Sequence, residues 1–264
     1  MKIDYDIPEL APYINWDYFF YAWGMHNNSD ADKAKLRREA EQTLTRLFGR
    51  YRTHALFTIA DANSDGDDVL LSGGERIPFL RQQQPDSDFL CLADFISPRG
   101  AVPDKIGIFA TAVDMGLETD FSHDDYQKMM VQLLADRLAE ATAERIHQEV
   151  RTRYWGYATD EHLTMQQLHT EQFQGIRPAV GYPALPDTSL NFVIDKLLDM
   201  RQIGIRLTES GAMKPHASVS GFMISHPHSH YFAIGKIGED QLKDYSRRRG
   251  LPEAVMRKFL FSNL

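Results

Sequence analysis

The chain has 264 residues, 43% of them hydrophobic and 25% charged, with a formal net charge of -8. Those shares are ordinary for a soluble globular protein, the acidic excess argues against a phosphate backbone as main partner, and no apolar run reaches the roughly 18 residues of a membrane helix. Cys91 is the sole cysteine, so no internal disulfide is possible and a reducing cytoplasm is the expected location.

The N-terminal residues Met1-Lys2-Ile3-Asp4-Tyr5-Asp6 lack the basic flank and apolar stretch of a signal peptide, and residues 1–12 read as a leader. A first helix is expected to begin at Ser29-Asp30, whose side chains can cap it, and to end before Gly49. Strand-like segments follow at His54–Ala60, Asp67–Leu71, Phe89–Ile96 and Lys105–Val113, bounded by Gly, Pro and Asp. Between the first two, Asp61-Ala62-Asn63-Ser64-Asp65-Gly66 has the start of a calcium loop. Ser72 stands where a bidentate Glu is needed, so a tight hairpin turn is the better reading.

The longest helix is expected from Asp124 to about Arg153, with Met130, Leu134, Leu138, Ala141 and Ile146 spaced to bury one face. A helix over Leu190–Arg201 precedes extended segments at Gly204–Thr208, Ala217–Ser225 and Tyr231–Ile237. Short helices after Gly238 and Pro252 finish the chain, the first of them ending at Arg247-Arg248-Arg249 and closed by Gly250. No linker, repeat or low-complexity tract interrupts this order, so residues 1–264 are expected to form a single α+β domain with antiparallel pairing.

The loop Gly175-Ile176-Arg177-Pro178-Ala179-Val180-Gly181-Tyr182-Pro183 carries the most chemistry. Arg177 offers a rigid fork that matches a carboxylate with two parallel hydrogen bonds. Pro178 and Pro183 stiffen the backbone, Gly181 allows a ligand to approach it closely, and Tyr182 adds a flat ring with a polar tip. Taken alone, a ligand site at Arg177 and a surface pair with Glu171 weigh about equally.

Other motifs accompany the loop. Ile14-Asn15-Trp16, Cys91-Leu92-Ala93-Asp94-Phe95 and His123-Asp124-Asp125-Tyr126 precede it, as do Ala135-Asp136-Arg137-Leu138-Ala139-Glu140-Ala141 and Tyr154-Trp155-Gly156-Tyr157-Ala158. Leu207-Thr208-Glu209-Ser210, Ala217-Ser218-Val219-Ser220-Gly221 and His226-Pro227 follow it. In this order the set resembles the reactivation domain of cobalamin-dependent methionine synthase, the module that binds S-adenosylmethionine, from about Tyr13 to the C-terminus.

The resemblance implies a C-shaped domain around a bent antiparallel sheet flanked by helices. It implies a cap that presents S-adenosylmethionine to cobalamin on a partner module, in cis or in trans. There the methyl group would reductively methylate inactive cob(II)alamin, with one electron from a flavodoxin-type donor. No side chain need act as acid, base or nucleophile, and the chain is expected to be inert without its cobalamin-bearing partner. By resemblance, Arg177 takes the ligand carboxylate, the backbone at Ala179 meets the adenine edge, and Tyr182 lies towards the corrin. Glu140 and Glu171 match acidic positions near the ligand, where carboxylates suit a cationic sulfonium and ammonium. Tyr231-Phe232 matches an aromatic pair beside it.

Asn15 departs from the family, which usually carries Asp there to take the ligand's ammonium group. An amide keeps an acceptor oxygen but not the charge, so binding is expected to be weaker than an aspartate version would show. This departure also supports a rival reading, a docking or regulatory subunit that no longer delivers methyl. His226-Pro227-His228-Ser229-His230 alternates three imidazoles. No second ligand cluster accompanies them, so no metal is expected. Ser210 and Ser220 lack the turn of a nucleophile elbow.

Overall fold

A long strand organises the molecule, whose computed structural model describes residues 1–121 and 123–264. In chain order the elements are β1 (Lys2–Asp6), α1 (Ile7–Leu10), α2 (Trp16–Ala22), α3 (Asp30–Leu47), β2 (Arg52–Asp65), β3 (Asp68–Leu71), β4 (Arg76–Pro78) and β5 (Asp104–Val113). They continue with α4 (Gly116–Thr119), α5 (Asp125–Glu149), α6 (Met165–His169), α7 (Leu190–Leu198), β6 (Arg206–Leu207), β7 (Met213–Lys214), β8 (Ser218–Met223), α8 (Glu239–Arg249) and α9 (Glu253–Phe259). The fold is α+β. Its main sheet runs β4-β3-β2-β5-β8, antiparallel throughout, with β1 also on β2.

β2 is long enough to take β1 along Arg52–Leu56 and β3 along Ala62–Asp65, while β5 pairs along Thr53–Ala62. The sheet curls strongly into a half-barrel. β5 is buried from Ile106 to Val113 because both of its faces are covered. Alternation along the strand sends Phe109 into a core shared with α5, and Ile108 and Ala110 into a second core shared with α7. A third, smaller core, with Leu242, Tyr245, Met256 and Leu260, seats α8 and α9.

Local chemistry explains several boundaries. Ser29 caps α3, its hydroxyl accepting from the Asp32 amide at 3.2 Å, and the Asp124 carboxylate caps α5 at Tyr126 and Gln127. Gly66 and Asp67 form the two-residue turn between β2 and β3, with Gly66 at φ 63°. Gly250, at φ 66°, closes α8. The arginines before it do more than end the helix. Arg248 pairs with Asp68 and Arg249 with Asp187, both carboxylates being buried.

The structure departs from the sequence expectations in several places, and the helix from Asp30, expected to be the first, is preceded by α1 and α2. Residues 1–12, read as a leader, pack into the fold: β1 joins the sheet and Ile7 and Leu10 are fully buried. Phe89–Ile96 is not a strand. Asp94 accepts from the Cys91 amide and from Arg81, and this local bonding curls Leu92–Phe95 into a 3-10 turn. Tyr231–Ile237 forms no strand, and Gly235 within it turns at φ 69°. Its Ile234 amide bonds the carbonyl of Pro183, which lays the segment along the arginine loop.

That loop is itself fastened to β8. The Pro178 carbonyl accepts from the Phe222 amide at 3.0 Å, and the Val180 amide donates to Ser220 at 2.9 Å. Gly221 permits this approach, because a Cβ there would meet the Pro178 oxygen at 2.1 Å.

Candidate functional site

A cleft of about 700 Å³ opens between α5, the start of α2 and the arginine loop. From α5 it receives Arg137, Glu140 and Glu144, one turn apart on one face of the helix. Glu171 comes from the segment between α6 and the loop, Arg177, Ala179 and Tyr182 from the loop, and Tyr231 and Phe232 from the segment alongside it. Asn15 closes the opposite wall beside Tyr18 and Tyr21. The fold thus gathers every expected site residue except Gly181, which shapes the loop from behind the lining. Gly181 has φ 90°, and its amide donates to the Leu185 carbonyl at 2.9 Å.

Arg177 is the centre of this arrangement. Its backbone amide donates to the Tyr231 hydroxyl at 2.9 Å, fixing where the side chain starts. One guanidinium nitrogen donates to Glu144 at 3.2 Å and another to His147 Nδ1 at 3.2 Å. Only 13% of the side chain is exposed. Burial opposes its charge, but Glu144, Tyr231 and Glu140 overcome that and hold the guanidinium protonated above its ordinary range. A guanidinium has five N–H donors, so two used by protein leave others for a ligand.

His147 responds in the opposite sense. Burial, then the cations of Arg151 and Arg177, push its pKa well below the ordinary value, and the ring is neutral. Because arginine only donates, Nδ1 must accept, and the proton therefore sits on Nε2, facing the Tyr157 hydroxyl at 3.5 Å. Beneath it Arg151 is fully buried, grips Glu161 with bonds of 2.8 and 2.7 Å, and lies 4.0 Å over the Phe173 ring. This pair ties the turn that follows α5 to the segment before α6.

The carboxylates are held differently from one another. Glu140 accepts from the Tyr182 hydroxyl at 2.5 Å, a bond that crosses the mouth of the cleft. Tyr182 itself is 51% exposed. Glu171 stands at the rim with φ 56°, a left-handed conformation uncommon for a non-glycine residue. Desolvation pushes its carboxyl up, against the pull of Arg177 and with the push of Glu144. The ion-pair partner of Arg177 is Glu144 and not Glu171. Three carboxylates and two guanidiniums line the cleft, leaving it one formal negative charge.

Asn15 has a second task. Its side-chain oxygen accepts from the Asp17 amide at 3.1 Å and the Tyr18 amide at 3.4 Å, capping α2. Residues that the sequence reading did not single out are Glu144, His147 and Arg137. Their signal was available in the register of α5, since positions 140, 144 and 147 share a face in any helix. Among the described residues no group of three His, Cys, Asp or Glu is placed to hold a metal ion. No helix is long and apolar enough to cross a membrane.

A family model described as the activation domain of vitamin B12 dependent methionine synthase matches residues 6–250. Among solved structures, the chain is similar to a crystal structure of the MetH reactivation domain bound to AdoHcy. The two are 36% identical, with a TM-score of 0.94, and the match covers 100% of this chain and 90% of that one.

Proposed function

This chain belongs to the activation-domain family of vitamin B12 dependent methionine synthase, and we propose on that footing that it binds S-adenosylmethionine and presents its methyl group. The recipient is inactive cob(II)alamin on a cobalamin-binding module of methionine synthase, and a flavodoxin-type donor supplies one electron. The observation that carries this reading is the cleft around Arg177, where a preorganised guanidinium stands among carboxylates. Its single negative charge complements a ligand whose sulfonium, ammonium and carboxylate sum to one positive charge. The similar MetH domain bound to AdoHcy, the demethylated form of that ligand, supports it.

The free N–H groups of Arg177 take the ligand carboxylate in this reading, and the Ala179 backbone takes the adenine edge. Glu140 and Glu171 face the sulfonium side, while Tyr182, Tyr231 and Phe232 shape the mouth. The cobalamin cobalt supplies the nucleophile when the partner docks, so these residues bind, orient and exclude water. The chain works as one unit, because β5 contributes side chains to both large cores.

Calorimetric titration of S-adenosylmethionine tests the reading. Saturable binding is expected, with Arg177→Ala lowering affinity by about 100-fold through the loss of a charge-assisted fork. No saturation by millimolar ligand would overturn it. The engagement of the Asn15 oxygen with α2 favours one second reading, a subunit that docks on a corrinoid protein without delivering methyl. S-adenosylmethionine-dependent methylation of the partner's cobalamin under reduction separates the two.

A further inference from the structure

We propose that Glu144 accepts the α-ammonium group of the ligand, a role that rests on the S-adenosylmethionine reading above. Glu144 lies one turn beyond Glu140 on α5, lines the cleft, and has a side chain 12% exposed. One of its oxygens accepts from Arg177 at 3.2 Å. The other, Oε1, is buried and has no hydrogen-bond partner. Among the described residues only Arg151 Nη1 shares that condition, and Arg151 does not line the cleft. A buried anionic oxygen without a donor is costly, and a ligand N–H that reaches it converts that cost into binding energy.

The surroundings select an ammonium as the donor. Glu144 and Arg177 set a negative and a positive group side by side, the complement of the adjacent carboxylate and ammonium of an α-amino acid. Among the other acceptors Glu171 is a charged carboxylate at the exposed rim, and the rest are engaged or uncharged. Glu140 holds the Tyr182 hydroxyl, and the Asn15 oxygen is neutral and already accepts two amides. Glu140 and Glu144 are also like charges at i and i+4, and a ligand cation adds to the relief that Arg177 gives them. Glu144 thereby supplies the charge that Asn15 lacks.

The test is calorimetric titration of the full chain with S-adenosylmethionine and with its analogue in which hydrogen replaces the α-amino group. Wild type, Glu144→Gln and Glu144→Asp are compared. Wild type is expected to prefer the natural ligand by about 10- to 100-fold. Glu144→Gln should lose most of that factor for S-adenosylmethionine while binding the analogue as wild type does, and Glu144→Asp should regain part of it. Equal weakening of both ligands by Glu144→Gln means that Glu144 only orients Arg177, and overturns the proposal. Absence of discrimination in wild type, or no change for either ligand, does the same. If Glu144→Gln does not fold, the discrimination shown by wild type and Glu144→Asp decides. A wild-type chain that binds no S-adenosylmethionine sinks the underlying reading and this inference together; binding without ammonium discrimination sinks this inference alone.

Discussion

Asn15 is held in place by the helix it starts. Its oxygen accepts the Asp17 and Tyr18 amides, so replacing it changes both a cap and a wall of the cleft. Aspartate caps as well as asparagine and adds a negative charge where the helix dipole and a cationic ligand both favour one. Asn15→Asp is therefore expected to tighten S-adenosylmethionine binding by roughly 1 kcal/mol, about fivefold, without lowering the melting temperature. Unchanged or weaker affinity in the same titration would show that the position does not face the ligand's charge. Arg177 was legible because a guanidinium followed by two prolines and a Gly-Tyr pair suggests a ligand site, which the family resemblance then favoured over a surface pair. Glu144 was not, because an acid on a long helix reads as solvated until it is counted from Glu140.

At the scale of elements, capped helices and apolar strands such as β5 and β8 were legible, while the short β1 and the 3-10 turn at Leu92–Phe95 were not. Ser29, Asp124 and Gly250 punctuate α3, α5 and α8 through local bonds, and those helices fall where their caps predict. β1 has only five residues, and its partner is β2, so nothing nearby announces it. The arginine loop depends on a distant partner in the same way, resting on β8 at Gly221. Gly221→Ala is expected to drive a methyl group into the Pro178 carbonyl and lift the loop. The cost should be about 1–3 kcal/mol in chemical denaturation, together with loss of ligand affinity. A variant of wild-type stability and affinity would mean that the loop has room to shift.

Across the whole molecule, buried polar groups set how stability depends on pH. Burial and the nearby arginines hold the folded pKa of His147 well below the ordinary 6.5, so near that pH the unfolded chain binds more protons than the folded one. Stability is then full above about pH 6.5 and declines as pH falls below it, until the depressed folded value is reached. The melting temperature of wild type should drop between pH 7.5 and pH 5.5, and His147→Gln should shrink that drop. Equal pH sensitivity in both proteins would assign the effect elsewhere, Glu171 being set to oppose it, since its raised carboxyl favours the folded state on acidification. The acid-over-base lining of the cleft bears finally on residence time. A methyl donor gives up its sulfonium charge when it reacts, so the same walls that retain the cation meet a neutral product and hold it less. On the proposed methyl-donor reading, the spent ligand is expected to depart faster than the fresh one, and added salt is expected to narrow the difference between them.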